Sequence, residues 1–329
     1  MSGCSDSPPQ VAELSGQTMG TSYSIKLSPA PDESRRAALQ EKVERRLAEI
    51  NAQMSTYRDD SDLMRFNRAQ TTDWQAVPDA LAELVDRAQR ISELSAGQYD
   101  ITVGPLVNLW GFGNSGRRDT PPSQEQIADL LQRVGYRHLE ARRAPAALRK
   151  DIAEIQIDLS SIAKGWAVDQ IAELVQQDGF SNVLVEIGGE VLARGEKLPG
   201  TPWRVAIEQP LPDRRAITRI IDLRDLAMAT SGDYRNFFAD GGRLYSHTID
   251  PGTGMAVQHR LASVTVLADN CTDADAWATA LMASGEQRGP KLAESLGLKA
   301  LFLVRGEQGL EQKISTALAT SGLWRADSG

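Results

Sequence analysis

The chain has 329 residues, 41% of them hydrophobic and 24% charged, which is enough apolar material for one large core or two ordinary ones, with no compositional sign of disorder. Its formal net charge is -8, and nucleic-acid affinity rests mostly on phosphate neutralisation by Lys and Arg, so a polyanion-binding surface is excluded. No run of about 20 apolar residues occurs, so no stretch reads as a membrane-spanning helix.

Two cysteines, Cys4 and Cys271, are too few and too far apart to frame a zinc site or a disulfide scaffold. Ser2-Gly3-Cys4 followed by Ser5-Asp6-Ser7-Pro8-Pro9 has the form of a bacterial lipoprotein signal's end, without the apolar stretch that precedes it. The expectation is a trimmed precursor whose natural form is exported and lipid-anchored on the periplasmic side of the inner membrane. Residues 1–13 then form an N-terminal tether, and residues 14–325 a single domain.

After Met19-Gly20-Thr21, the alternation of Tyr23, Ile25 and Leu27 predicts a strand. Residues 33–54 carry Leu39, Val43, Leu47, Ile50 and Met54 at steps of three and four, a core-facing helical stripe. Tyr57 follows in a polar loop, and Asp59-x-x-Asp62 is placed to cap a short helix beginning near Leu63. A second amphipathic helix runs from Pro78 to Leu94, with Gly97 to stop it. Trp110-Gly111-Phe112-Gly113 ends an apolar run and reads as a turn around two buried rings, because it lacks the context of a dinucleotide fingerprint. Ser123 caps a helix to about Arg133, and residues 138–152 read as surface strands.

From Glu154 to Asp169 the pattern passes from strand to helix, the helix running from about Ala163 to Gln177. Asp158 and Lys164 flank the connecting loop, where they suit either a nucleotide or a structural salt bridge. Strands are expected at 183–187, 203–208, 218–223, 244–248, 262–267 and 300–304, with a turn-rich hydroxyl cluster at Ala229-Thr230-Ser231-Gly232-Asp233-Tyr234-Arg235. His247 sits at a strand end beside Asp250-Pro251-Gly252, suited to a functional role or to bonding that turn. In the helix that starts near Asn270, Asp275 and Thr279 lie one turn apart on one face. Two hard oxygen donors suit Mg²⁺ alongside substrate phosphates, while Thr272-x-x-Asp275 also fits a capping box.

Taken together, Met19-Gly20-Thr21, Tyr57 in Ser-Thr-Tyr-Arg, Tyr99 to Val107 with Trp110 to Gly113, Asp158 to Lys164-Gly165, Gly188-Gly189, Thr230 to Tyr234, His247 to Asp250-Pro251 and Thr272 to Thr279 resemble the ApbE family of flavin transferases. The set covers roughly residues 17–305 in the family's order. The resemblance implies an α+β fold of the T-fold-like kind, with mixed or antiparallel sheets, packed helices and an FAD cleft. It implies Mg²⁺-dependent transfer of FMN from FAD to a threonine of a target protein, with AMP leaving. It favours Mg²⁺ ligation by Asp275, Thr279 and the main-chain carbonyl of Ser161, where the family often has alanine. Met19, Tyr57, Gln98, Tyr99, Asp100, Asp158, Lys164 and Thr248 are the implied FAD contacts; the family counterpart of Thr248 is commonly apolar. Of these, Tyr57 matches the aromatic against the isoalloxazine and Lys164 is suited to neutralising phosphate, while His247 is suited to proton transfer from the acceptor hydroxyl. The implied partner is a flavin-accepting subunit of a membrane redox complex, with no nucleic acid and with the membrane met only through the lipid. An FAD pyrophosphatase and a non-catalytic flavin-binding lipoprotein are the competing readings.

Overall fold

A computed structural model describes residues 11–113, 116, 118, 120–210, 216–233, 237–240 and 243–324. The expected lipidation site Cys4 and most of the expected tether therefore lie outside the described residues, as do Tyr234 and Arg235. The strands are β1 (Ala12–Thr18), β2 (Thr21–Ser28), β3 (Gln75–Ala76), β4 (Leu139–Arg143), β5 (Ala146–Lys150), β6 (Asn182–Ile187), β7 (Glu190–Arg194), β8 (Trp203–Glu208), β9 (Ile217–Leu223), β10 (Leu226–Gly232), β11 (Phe237–Asp240), β12 (Arg243–Ser246), β13 (Leu261–Ala268), β14 (Lys299–Gly306) and β15 (Gly309–Ile314). The helices are α1 (Glu33–Met54), α2 (Asp62–Arg68), α3 (Asp79–Leu94), α4 (Gly104–Leu109), α5 (Gln124–Leu131), α6 (Ala163–Gln177), α7 (Cys271–Leu296) and α8 (Thr316–Ala319).

Eight strands form one antiparallel sheet in the order β1-β2-β6-β7-β10-β13-β14-β15. One face packs against α1, α6 and α7 through Ile25, Val185, Leu192, Val264, Trp166 and Leu281. The opposite face, through Val191, Met228, Leu267 and Leu301, is covered by Trp203, Ile207, Ile221 and Leu223 of the β8–β9 hairpin. Because β13 is covered on both sides, it is an unbroken buried run from Leu261 to Leu267 rather than an alternating one. A smaller aromatic cluster joins Trp110 of the loop after α4 to Phe238 and Tyr245 of the β11–β12 hairpin.

The expected helical stripe of α1 is the buried face, and its cap is Asp32, whose carboxylate accepts from Arg35 N at 2.9 Å. Elsewhere local chemistry departs from expectation. β1 already begins at Ala12, inside the stretch expected to be tether. Ser61, not the Asp59/Asp62 pair, caps α2: its hydroxyl accepts from Met64 N at 3.0 Å and donates to Ser55 O at 2.7 Å. Residues 154–157 form no strand, because the Asn67 side chain takes a neighbour's place by bonding both Ile157 N at 2.8 Å and Ile157 O at 2.9 Å. The hydroxyl cluster at 229–232 is not a turn but the second half of β10, where Thr230 pairs across the sheet with Thr265 at 2.8 Å. Several elements had no counterpart in the sequence reading, among them β7 directly after Gly188-Gly189 and β15 at the sheet edge.

Candidate active site

A cleft of about 700 Å³ opens where the sheet comes apart. β7 pairs with β10 only at Leu226, Ala227 and Met228, so beyond Met228 the β7 edge of β10 leaves Thr230, Ser231 and Gly232 on the cleft wall. The other walls come from the start of α6, the inner face of α7, β8 and the segments around Gln98 and His247.

The junction of α6 and α7 fixes the chemistry. Gly165 lets the helices meet: a Cβ there would lie 2.3 Å from Cys271 O and 2.8 Å from Asp275 Cβ. At that approach Asp275 Oδ2 accepts from Gly165 N at 2.9 Å, so a carboxylate from α7 satisfies an orphan donor at the start of α6. The relation is reciprocal. Asp169 of α6 accepts from Cys271 N at 2.7 Å and Thr272 N at 2.9 Å in the first turn of α7, and from the Thr272 hydroxyl. The N-cap of α7 is Asn270, which accepts from Asp273 N at 2.9 Å, so the Thr272/Asp275 capping box does not form. Burial pushes the Asp275 carboxyl up from its ordinary range, with Lys164 and the Gly165 N–H pulling against it.

Lys164 pairs with Glu190 Oε1 at 2.6 Å, across the cleft floor from the first residue of β7. Burial pulls the Lys164 ammonium down, but the fields of Glu190 and Asp275 outweigh it and hold the group above its ordinary value. Glu190 is itself buried, and that burial raises its carboxyl while Lys164 opposes the rise. Thr279 Oγ1 lies 3.2 Å from Ser231 Oγ, and Ser161 donates its hydroxyl to Tyr99 OH at 3.0 Å. Among the described residues no group of three or more His, Cys, Asp or Glu side chains gathers as a metal site. A cation here would draw on a single carboxylate, neutral oxygens and substrate phosphates, the hard-oxygen ligand type that Mg²⁺ takes. Asp275 and Thr279 fit that requirement, since a cation would offset the burial of the carboxylate.

Tyr57 stands at the rim, 73% exposed. Gln98 also lines the cleft, and its buried amide oxygen has no hydrogen-bond partner among the described residues. Asp158 accepts from Ser160 N at 2.7 Å and from the Ser160 hydroxyl. Asp100 is engaged on both oxygens, by Thr102 N at 2.8 Å, the Thr102 hydroxyl at 2.6 Å and Tyr136 N at 2.7 Å, so its carboxylate organises this wall. His247 and Thr248 follow β12 on the opposite side, the His247 ring 6.4 Å edge-on from Phe112. Every residue expected in the site lines the cleft except Met19. Met19 has φ of 49° and, with Gly20 at 72°, makes the tight turn between β1 and β2, its side chain packed on the main core.

The model of the ApbE family matches residues 19–302 of this chain. The chain belongs to the ApbE family. It is 44% identical over 317 residues to an FAD:protein FMN transferase of Vibrio cholerae, covering 96% of this chain and 94% of the relative. The solved structure of flavin transferase ApbE from Vibrio cholerae superposes with a TM-score of 0.87 at 44% identity, covering 95% of this chain and 99% of that one. That of the Pseudomonas stutzeri flavinyl transferase ApbE, in its apo form, does so with a TM-score of 0.87 at 40% identity, covering 96% and 98%. The α+β architecture is thus the ApbE fold.

Within that fold, Glu190 and Asp169 are the site residues that sequence reasoning missed. A signal existed for Glu190: strand alternation puts it on the same face as Leu192, which packs into the main core, where an unpaired charge is costly.

Proposed function

We propose that this ApbE-family chain transfers FMN from FAD to a threonine hydroxyl of an acceptor protein, releasing AMP. The observation that carries the reading is the single cleft in which a phosphate-neutralising lysine, a buried carboxylate with a neighbouring hydroxyl, an exposed tyrosine ring and a histidine converge. The acceptor oxygen forms a bond to the FMN phosphorus as the pyrophosphate P–O bond to AMP breaks, and the hydroxyl proton leaves.

In this scheme Tyr57 offers a stacking face for the isoalloxazine, and Gln98 and Asp158 orient polar groups of FAD. Lys164 contributes positive charge near the pyrophosphate, and His247 takes the acceptor's proton. Asp275, Thr279 and the Ser161 carbonyl would hold Mg²⁺, whose charge offsets that of the phosphates when it is bound. The acceptor is read as a flavin-carrying subunit of a membrane redox complex, and the transferase as lipid-anchored through Cys4 on the periplasmic side of the inner membrane.

The test incubates the protein with FAD and Mg²⁺, with and without a threonine-bearing acceptor. Flavin fluorescence in the acceptor band after denaturing electrophoresis, together with AMP release that depends on the acceptor, is the expected result. Rapid AMP release without acceptor would instead identify an FAD pyrophosphatase. Stable FAD binding with no AMP under either condition would leave only a flavin carrier.

A further inference from the structure

Glu190 is a buried carboxylate with no role in the scheme above. Its burial is expensive unless something compensates it, and its Oε2 has no hydrogen-bond partner among the described residues. What it does hold is Lys164, at 2.6 Å through Oε1.

Lys164 has two carboxylates within its field, Glu190 and Asp275, and they compete for it. The three groups together carry a formal charge of about -1 when all are ionised. A lysine ammonium beside one carboxylate is a strong pair in a partly desolvated site, and a carboxylate so paired is a poor ligand for a divalent cation. In this structure Lys164 takes Glu190, whereas Asp275 has its hydrogen bond at Oδ2 from the Gly165 N–H and feels Lys164 only through its field. The geometry behind that choice is local. Gly188 and Gly189 both have positive φ, at 63° and 105°, and they turn the chain so that β7 opens with Glu190 pointing to the α6 side. Gly188 also packs closely on β2, since a Cβ there would lie 2.9 Å from Thr21 Cγ2.

We infer that Glu190 is a positioning residue that holds Lys164 off Asp275, leaving the Asp275 carboxylate able to take a divalent cation. The inference rests on the proposed cation site at Asp275 and Thr279, and it concerns cation affinity rather than the transfer step.

Binding of Mn²⁺, followed by its electron paramagnetic resonance signal, tests it on the wild type, Glu190→Gln and the double variant Glu190→Gln/Lys164→Met. Crystal structures of the single variant and the wild type accompany the titrations, and thermal unfolding confirms that the variants fold. The expected result is a loss of Mn²⁺ affinity of about tenfold or more in Glu190→Gln, with Lys164 moved onto Asp275, and recovery to near wild type in the double variant. An unchanged affinity in Glu190→Gln, or a loss that the double variant does not restore, overturns the inference. So does a loss with Lys164 still in its original place, which would make Glu190 a source of field and not of position. Absence of Mn²⁺ binding by the wild type is a separate result: it removes the cation site, and this inference with it.

Discussion

Asp275 accepts a backbone N–H at one oxygen, and an asparagine in its place can accept the same hydrogen bond through its amide oxygen. Asp275→Asn is therefore expected to stay folded and bind FAD while losing nearly all FMN transfer at ordinary Mg²⁺ concentrations, because only the charge is removed. Wild-type transfer with unchanged Mg²⁺ dependence would make the residue a helix-junction acceptor and nothing more. Tyr57 makes the opposite kind of contribution. Its exposed ring has no group able to stabilise phosphoryl transfer, so Tyr57→Ala is expected to weaken FAD binding by roughly 3- to 10-fold with kcat little changed; steady-state kinetics against FAD concentration separates the two. Lys150 gives a readout of stability alone. Its fully buried ammonium donates to the carbonyls of Phe66, Asn67 and Ile155 at 3.2, 3.3 and 3.0 Å, and burial lowers its pKa from 10.5 to about 8. Between those values the unfolded chain binds the extra proton, so this residue's contribution to stability rises as pH goes up through that window and is lost as pH falls back through 8. Urea unfolding across the window should show a steeper rise for the wild type than for Lys150→Met.

At the scale of elements, the α6–α7 junction depends on one hydrogen atom. Gly165→Ala would set a methyl 2.3 Å from the Cys271 carbonyl, and the helices must separate to admit it. The expected loss is about 1–3 kcal/mol of stability, with a fall in Mn²⁺ affinity, since Asp275 and Gly165 part together; calorimetry and metal titration check the two arms. Retained affinity in a destabilised protein would uncouple the junction from the cation site. Elements were legible in the sequence where one face repeats, as in α1 and α3, whose apolar steps match the buried residues. They were illegible where a side chain stands in for secondary structure. Asn67 impersonates a strand beside Ile157, and Thr230 and Ser231 sit in β10 although their hydroxyls read as a turn. No periodicity encodes a partner supplied from 90 residues away.

Across the whole molecule, the cleft draws on segments from Thr21 to Ala283, and spacing alone cannot announce such a convergence. The motifs pointed to it only as a set, through their resemblance to a family. Tertiary assembly supplied what spacing could not: it set Met19 in a core-packed turn, tied both Asp100 oxygens into the cleft wall and brought in Glu190 from a strand that the sequence reading had not identified.

The same assembly seals Cys271 at the α6–α7 junction, fully buried, with burial pushing its thiol well above the ordinary range. A thiol in that condition is inert until the surrounding helices part. Its reaction with a disulfide reagent, followed in a Cys4→Ser background, therefore works as a clock for the opening of the α6–α7 junction. Mg²⁺ and FAD together should slow that clock, and Asp275→Asn should make it insensitive to Mg²⁺. Labelling that runs at the rate of a free thiol in the native protein would show that the junction breathes freely.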